Sequence, residues 1–294
     1  MLKIAYYPGC SGQGTSLEYD TSTRAVCKAL DVELVDIPDW SCCGSTPAHT
    51  VNHVLSAALS ARNLAQVESM GMTKATTPCP SCLTNLRTAS HKMDDPEFKD
   101  KVNALLDVPC RNAVDTQSVL QVLAENVDPD LIKGKVVKPL SGIKIACYYG
   151  CIMNRPPEVM KFDHHENPMA MDNLMALLGA EVVPFPLKVE CCGASYGIPR
   201  GDIVHRLSGK LLDAARDVGA DAIVTACPLC QMNLDLRQGQ INDALRENFR
   251  IPVFYYTQLL GYALGIDRAE LGFEKLCVDP RLALGRIKQP QQAM

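Results

Sequence analysis

Ten of the 14 cysteines in this chain fall into two sets of five in the same order. In the first set Cys10 is followed after 31 residues by the adjacent pair Cys42-Cys43, and after 35 more by Cys79 and Cys82. In the second, Cys151 is followed after 39 residues by Cys191-Cys192, and after 34 more by Cys227 and Cys230. Five thiols cannot pair off as disulfides without a remainder. A tetrahedral zinc site takes four ligands, as does an ordinary cubane cluster. Five soft thiolates brought from three loops suit an iron–sulfur site, including one with more iron–thiolate bonds than a cubane accepts. Taken singly, a C-x-x-C run also reads as a zinc knuckle or a thioredoxin-like redox pair, and a vicinal pair as a strained disulfide or two buried thiols. The recurrence of one arrangement in both halves weighs towards the cluster.

The local spacing says how the thiols must be presented. Neighbouring side chains of an extended strand point to opposite faces, so each vicinal pair needs a bent segment to face one site. Gly44 and Gly193, which follow the pairs, supply that bend. Pro80 and Pro228, inside the C-P-x-C runs, suit the first turn of a helix, where free N–H groups and the dipole favour an anionic thiolate site.

The elements that carry these loops repeat too. "KIAYYPGC" at 3–10 matches "KIACYYGC" at 144–151, "VELVDIPDWSCCG" answers "EVVPFPLKVECCG", and "TPCPSCLTNL" answers "TACPLCQMNL". In the tails, Thr116-Gln117 pairs with Thr257-Gln258. The chain is an internal duplication, joined in the Pro- and Gly-punctuated stretch 127–142. Strands are expected at "KIAYY", "VELVDI", "KATT" and "NAV", then at "KIACYY", "EVVPF", "AIVTA" and "PVFYY". The runs "LSAALSARNLAQVESMG" and "HRLSGKLLDAARDVGA" have helical periodicity. The alternation predicts an α/β fold of two pseudo-twofold-related domains, residues 1–133 and 140–294, each with a small parallel sheet and its cysteines at strand ends.

Composition narrows the setting. A 47% hydrophobic and 21% charged chain of 294 residues reads as soluble and globular, and a formal charge of −4 argues against a nucleic-acid partner. No apolar run reaches the length of a membrane span, and "MLKIAYYPGC" lacks the basic and apolar regions of a secretory signal, so a cytoplasmic location is expected. In a reducing compartment, metal binding or redox chemistry explains 14 cysteines better than structural disulfides do. Cys27, Cys110 and Cys277 have no counterpart in the other copy, and Cys147 aligns with Tyr6; they read as core or incidental thiols, with Cys147 the candidate for a place near the second site.

With these residues in view, the doubled pattern resembles the cysteine-rich CCG domain of the B-type subunit of heterodisulfide reductase and its relatives, over almost the whole chain. The resemblance implies two noncubane [4Fe-4S] clusters, one on Cys10, Cys42, Cys43, Cys79 and Cys82 and one on Cys151, Cys191, Cys192, Cys227 and Cys230, with a disulfide split, or dithiols oxidised in reverse, between them. It implies a ferredoxin-like iron–sulfur partner, similar to the C-type subunit of heterodisulfide reductase, and a flavoprotein; no G-x-G-x-x-G fingerprint occurs here, so a flavin would belong to a partner. Some relatives instead work as electron relays in dehydrogenase or quinone-linked complexes. For an anionic substrate, Arg87, Arg155, Lys188 and Arg200 are candidates that more often prove to be solvated charges. His49 and His53 read as a proton source or a helix face, and Tyr148, Tyr149 and Tyr196 as cleft or packing aromatics.

Overall fold

Each half of the chain builds one four-stranded, all-parallel sheet. The computed structural model describes residues 2–288, apart from the side chain of Thr46. Met1 and 289–294, the outer ends of the two expected domains, lie outside the described residues. The first sheet holds β1 (Leu2–Tyr6), β2 (Val32–Asp36), β3 (Lys74–Thr77) and β4 (Asp115–Ser118) in the order β2-β1-β3-β4. The second holds β5 (Lys144–Tyr148), β6 (Glu181–Val182), β7 (Ala222–Thr225) and β8 (Val253–Tyr255) in the matching order β6-β5-β7-β8. The duplicated α/β architecture is therefore present as expected.

Strand alternation divides the core into three parts. Ile4 and Tyr6 of β1, with Ile145 and Cys147 of β5, face one continuous core between the halves. Ala5 and Tyr7 point the other way, into an outer core that also contains Cys43, Cys79 and Cys82. Ala146 and Tyr148 do the same in the second half, beside Cys192, Cys227 and Cys230. A period of two thus sends the cysteine sites outward and the interdomain packing inward. The joining stretch is tied to both halves: Lys135 donates to the Ala29 carbonyl at 2.6 Å, and the Val137 and Lys138 N–H groups donate to the Ala263 carbonyl at 2.9 and 3.0 Å.

Two strands differ from expectation. "NAV" is not a strand; Asn112 is left-handed at φ 64°, and β4 starts only at Asp115. Its sequence, Asp-Thr-Gln-Ser, has no β-rich signature, yet Thr116, Gln117 and Ser118 are buried. "EVVPF" shrinks to two paired residues because Pro184 and Pro186 cannot donate to a ladder. The expected pairing of the tails is also corrected. Thr77 lies opposite Ser118, and Thr225, its repeat partner, opposite Tyr255, so Ser118 and not Val114 matches Tyr255. Each begins a helix, and the glutamine three residues on takes the same place: Gln121 N–H donates to Ser118 Oγ, and Tyr255 N–H donates to Gln258 Oε1, both at 2.9 Å.

Candidate metal centres

In both halves all five cysteines stand just past the C-terminal ends of three parallel strands, where α/β sheets place their chemistry. Cys10 follows β1 on the short helix α1 (Gly9–Gly12), which leads into helix α2 (Leu17–Ala29); Cys42 and Cys43 lie in the irregular segment after β2, and Cys79 and Cys82 follow β3. Cys151, Cys191-Cys192 and Cys227/Cys230 take the same places after β5, β6 and β7.

The bends expected at the vicinal pairs are present: Gly44 and Gly193 both sit at φ 90°. Residues 45–51 and 53–69 then form helices α3 (Ser45–Val51) and α4 (His53–Ser69), separated by Asn52, which caps the second through its side chain. Pro80 opens helix α5 (Pro80–Lys92), with Cys79 as the residue before it and Cys82 in its first turn. In the second half Pro228 opens the helix Pro228–Gln231, which passes into a π-helical turn, Met232–Leu236. Insertion of such a turn often marks a functional site.

The thiols of each set are joined by the same hydrogen bonds. Cys43 and Cys82 approach to 3.5 Å between sulfurs, and Cys192 and Cys230 to 3.6 Å. Cys10 and Cys42, Cys151 and Cys191, Cys79 and Cys82, and Cys227 and Cys230 are also close enough for one thiol to shift the titration of the other. Glycines allow this crowding. A Cβ on Gly9 would stand 2.9 Å from Cys82 Sγ, and one on Gly150 would stand 3.0 Å from Cys230 Sγ.

A polar shell around the thiols is duplicated with them. Asn85 Nδ2 donates to Cys43 Sγ, and Asn233 Nδ2 to Cys192 Sγ, each at 3.5 Å. The N–H groups of Gly193 and Ala194 donate to Cys191 and Cys192 at 3.3 Å. Ser60 and Ser208 hold the carbonyls of Cys43 and Cys192, at 3.2 and 2.9 Å. Tyr7 and Tyr148 fix the strands' ends to the loops through Ser41 O at 2.7 Å and Glu190 O at 2.8 Å. Neither the asparagines and Tyr7, which recur in the matched repeats, nor Ser60 and Ser208, which lie in the two helical runs, stand out in the sequence as site residues.

These donors favour charged sulfur. The Cys43 thiol is brought down to about 6, first by the Cys82 thiol and then by the Asn85 amide. Cys191 falls to about 6 through Cys151 and the Gly193 N–H. Cys192 falls to about 7 through Cys230, the Ala194 N–H and Asn233. Burial and the surrounding thiolates push Tyr7 and Tyr148 up, so both phenols keep their protons.

The donor set suits an iron–sulfur group: soft thiolates, amide and peptide donors aimed at sulfur, and a helix start beneath Cys79. Among the described residues no three Cys, His, Asp or Glu side chains are arranged to hold a single metal ion. A multi-iron cluster does not require that convergence, since its thiolates bind separate irons.

The remaining expected residues are dispersed. Cys147 is fully buried in the central core, on the strand face opposite Ala146 and Tyr148, and burial raises its thiol; it takes no place in the second site. Cys27 and Cys110 are buried, and Cys277 is exposed. Arg155 pairs with Glu166 at 2.5 Å, and exposed Arg200 with Asp202 at 2.8 Å. Arg87 donates to the Thr116 carbonyl at 2.5 Å and holds β4 to α5. Lys188 is buried and paired with Asp172 at 2.7 Å, which also accepts from the Tyr149 hydroxyl at 2.7 Å. Tyr196 is exposed. His49 and His53 stand on two successive helices, not on one helix face, and line a common groove with Asn85.

These two centres define the class: an oxidoreductase-type iron–sulfur subunit for electron transfer. Residues 4–87 and 145–235 match the cysteine-rich CCG domain. The chain is 35% identical, over 94% of its own length and 97% of the relative's, to the 8-methylmenaquinol:fumarate reductase membrane anchor subunit of Wolinella succinogenes. It is 30% identical, over 98% of its length and 97% of the relative's, to the B-type subunit of the ferredoxin/F420H2-dependent CoB-CoM heterodisulfide reductase of Methanosarcina acetivorans. The fold matches a hypothetical protein from Helicobacter pylori with a TM-score of 0.73 at 12% identity, over 94% of this chain and 52% of that one. The chain belongs to the CCG cysteine-rich family, in two copies, with B-type subunits of heterodisulfide reductase among its relatives. Among the described residues no helix is long and apolar enough to cross a membrane.

Proposed function

We propose that this chain is a disulfide/thiol oxidoreductase subunit that holds two noncubane [4Fe-4S] clusters, on Cys10, Cys42, Cys43, Cys79 and Cys82 and on Cys151, Cys191, Cys192, Cys227 and Cys230. Such clusters supply electrons singly, and the reaction needs two: a disulfide R–S–S–R′ takes up two electrons and two protons to give RSH and R′SH. The reverse oxidises two thiols. The observation that carries the reading is the completeness of both five-thiol sets, each with the same close sulfur–sulfur contact and its own asparagine donor.

The chain's own residues act as a preorganised cradle. Asn85 and Asn233, with the N–H groups after each vicinal pair, aim donors at sulfur and stabilise negative charge there. Gly9 and Gly150 leave the room that a side chain would fill. Electrons would arrive from a ferredoxin-like iron–sulfur subunit, itself served by a flavoprotein, on the cytoplasmic side. Two domains, 1–133 and 140–294, would each own one centre.

One specific observation favours a second reading, an electron relay in a quinone-linked complex: the 35% identity to a subunit of a menaquinol:fumarate reductase. Both are tested on protein purified without oxygen. About eight irons and eight sulfides per chain are expected for two four-iron clusters, together with reoxidation of the reduced protein by a small disulfide. Full metal content without disulfide-dependent reoxidation would favour the relay. Zinc in place of iron would overturn both.

A further inference from the structure

The two centres have matched thiols but unmatched surroundings. Residues 11–16 alone separate Cys10 from α2, whereas 152–169 separate Cys151 from the helix Ala170–Leu177. The longer segment is fastened near both ends to the residues that lead into Cys191. Arg155 Nη1 donates to the Val189 carbonyl at 3.5 Å, and Lys188 Nζ donates to the Pro168 carbonyl at 3.0 Å.

Lys188 is the centre of this fastening. Its buried ammonium has three acceptors: the Pro168 carbonyl, Asp172 Oδ1 at 2.7 Å and the Met169 sulfur at 3.1 Å. Its own carbonyl accepts from the N–H groups of Tyr149 and Gly150, at 2.9 and 3.1 Å, immediately before Cys151. Asp172 completes the tie by accepting from the Tyr149 hydroxyl on Oδ2, at 2.7 Å. One residue thus joins the Cys151 loop to the Cys191 loop through both backbone and side chain.

The first half cannot build this clamp. Counting back from the vicinal pairs, Asp39 stands where Lys188 does, with a left-handed φ of 48° and its side chain 79% exposed. Its carbonyl accepts from Arg62 instead, at 2.6 Å. Pro8 stands in the place of Tyr149 and has neither an N–H nor a hydroxyl to give. Accordingly Cys10 is exposed and Cys151 only partly so.

We propose that Lys188 is a positioning residue for the second centre and makes two centres with the same ligands unequal: the second is held shut, and the first has the loops that open. The inference rests on the two-cluster reading above and adds which centre yields when a sulfur group enters or leaves. A buried ion pair is a poor source of net stability, because both charges are desolvated, so its use here is positional.

Iron release to a chelator from anaerobically purified protein tests this, because release follows local opening of the ligand loops. Two phases of about equal amplitude are expected, the slower by about tenfold or more, as the loss of two backbone hydrogen bonds on opening implies. Cys192→Ser, which keeps only the first centre, should show the fast phase alone, and Cys43→Ser the slow one. Replacing the pair together, Lys188→Met with Asp172→Asn, avoids stranding one buried charge. It should bring the slow phase to the fast rate and alter the electron paramagnetic resonance signal of the second centre only. Arg155→Ala, at a partly exposed site, should accelerate the slow phase severalfold. A single phase in the wild type, or a slow phase that both variants leave unchanged, would overturn the clamp while the iron content upholds the clusters. Acceleration of both phases together would mean general destabilisation and no positioning role. Protein that takes up no iron sinks the cluster reading, and hydrogen exchange then reads the clamp on its own. The amides of Tyr149 and Gly150 should be protected in the metal-free protein and lose about tenfold of that protection in the pair variant. Equal exchange in both proteins would overturn it.

Discussion

The ring of Tyr19 lies flat against that of Tyr255, 4.0 Å between centroids and 3° from parallel. Tyr19 comes from the first helix after Cys10, Tyr255 from the end of β8, and the Tyr19 hydroxyl donates to the carbonyl of Ala226, next to Cys227, at 3.0 Å. The pair locks the two halves at the level of their metal centres, and Tyr255 lies close enough to Cys79 and Cys227 for both to raise its phenol, after the effect of burial. Tyr19→Ala should cost about 3–5 kcal/mol, as for other fully buried aromatics, and Tyr19→Phe about 1 kcal/mol for the lost hydrogen bond. Chemical denaturation followed separately in each half checks this: the variants should lower the midpoints of both halves together. A change confined to one half would show that the stack does not join them.

Asn85 and Asn233 offer the matching pair of amide donors to sulfur. Asn85→Ala removes one donor of about 1 kcal/mol from the first centre, equivalent to about 40 mV for a one-electron couple, and the midpoint potential should fall because the more negative reduced state loses stabilisation. Redox titration followed by electron paramagnetic resonance resolves the two centres. Asn85→Ala and Asn233→Ala should move different signals.

Gly9 and Gly150 test the room for a cluster. Both have positive φ, +69° and +76°, and a Cβ would crowd Cys82 Sγ or Cys230 Sγ. Gly9→Ala is expected to lose iron from the first centre, and Gly150→Ala from the second, leaving about half the metal of the wild type. Iron and sulfide analysis with a circular dichroism check on folding reads this directly. Unchanged metal in both variants would mean that the cysteine loops shift without consequence.

Thiol reactivity in the metal-free protein should be unequal between exposed cysteines that the repeat makes equivalent. Cys191, lowered to about 6 by the Cys151 thiol and the Gly193 N–H, is largely thiolate at pH 7, whereas burial, with added repulsion from Cys43 and Cys10, raises Cys42. The sign is that lowering favours the charged form, so alkylation of Cys191 should reach half its maximal rate near pH 6 and that of Cys42 only above the ordinary thiol range. Mass spectrometry of protein pulsed with iodoacetamide from pH 5 to 9 measures both. Metal loading should protect the two alike.

Much of this molecule is legible along the chain because its signals are local. A glycine after a vicinal pair, a proline inside C-P-x-C and a strand of β-branched residues each act within a few bonds, and the duplication states every one of them twice. The signals that failed are those set by surroundings. β4 has a polar sequence and is a strand because β3 pairs with it and Arg87 holds Thr116 from outside. The tail pairing misled because Thr-Gln recurs by spelling, while the register of β3 with β4 and of β7 with β8 follows from backbone hydrogen bonds.

By itself, then, the sequence determined the number of thiols, their loops, the parallel sheets and the family, because these rest on residue type and on periods of two and 3.6. Tertiary structure alone decided which polar groups meet the sulfurs. Asn85 lies 42 residues from Cys43, and Tyr19 lies 207 residues from Ala226, so no local rule connects them. It also decided that Cys147 faces the central core while Tyr148, one residue on, faces the second centre, since only packing against a partner sheet says which face of a strand is inside.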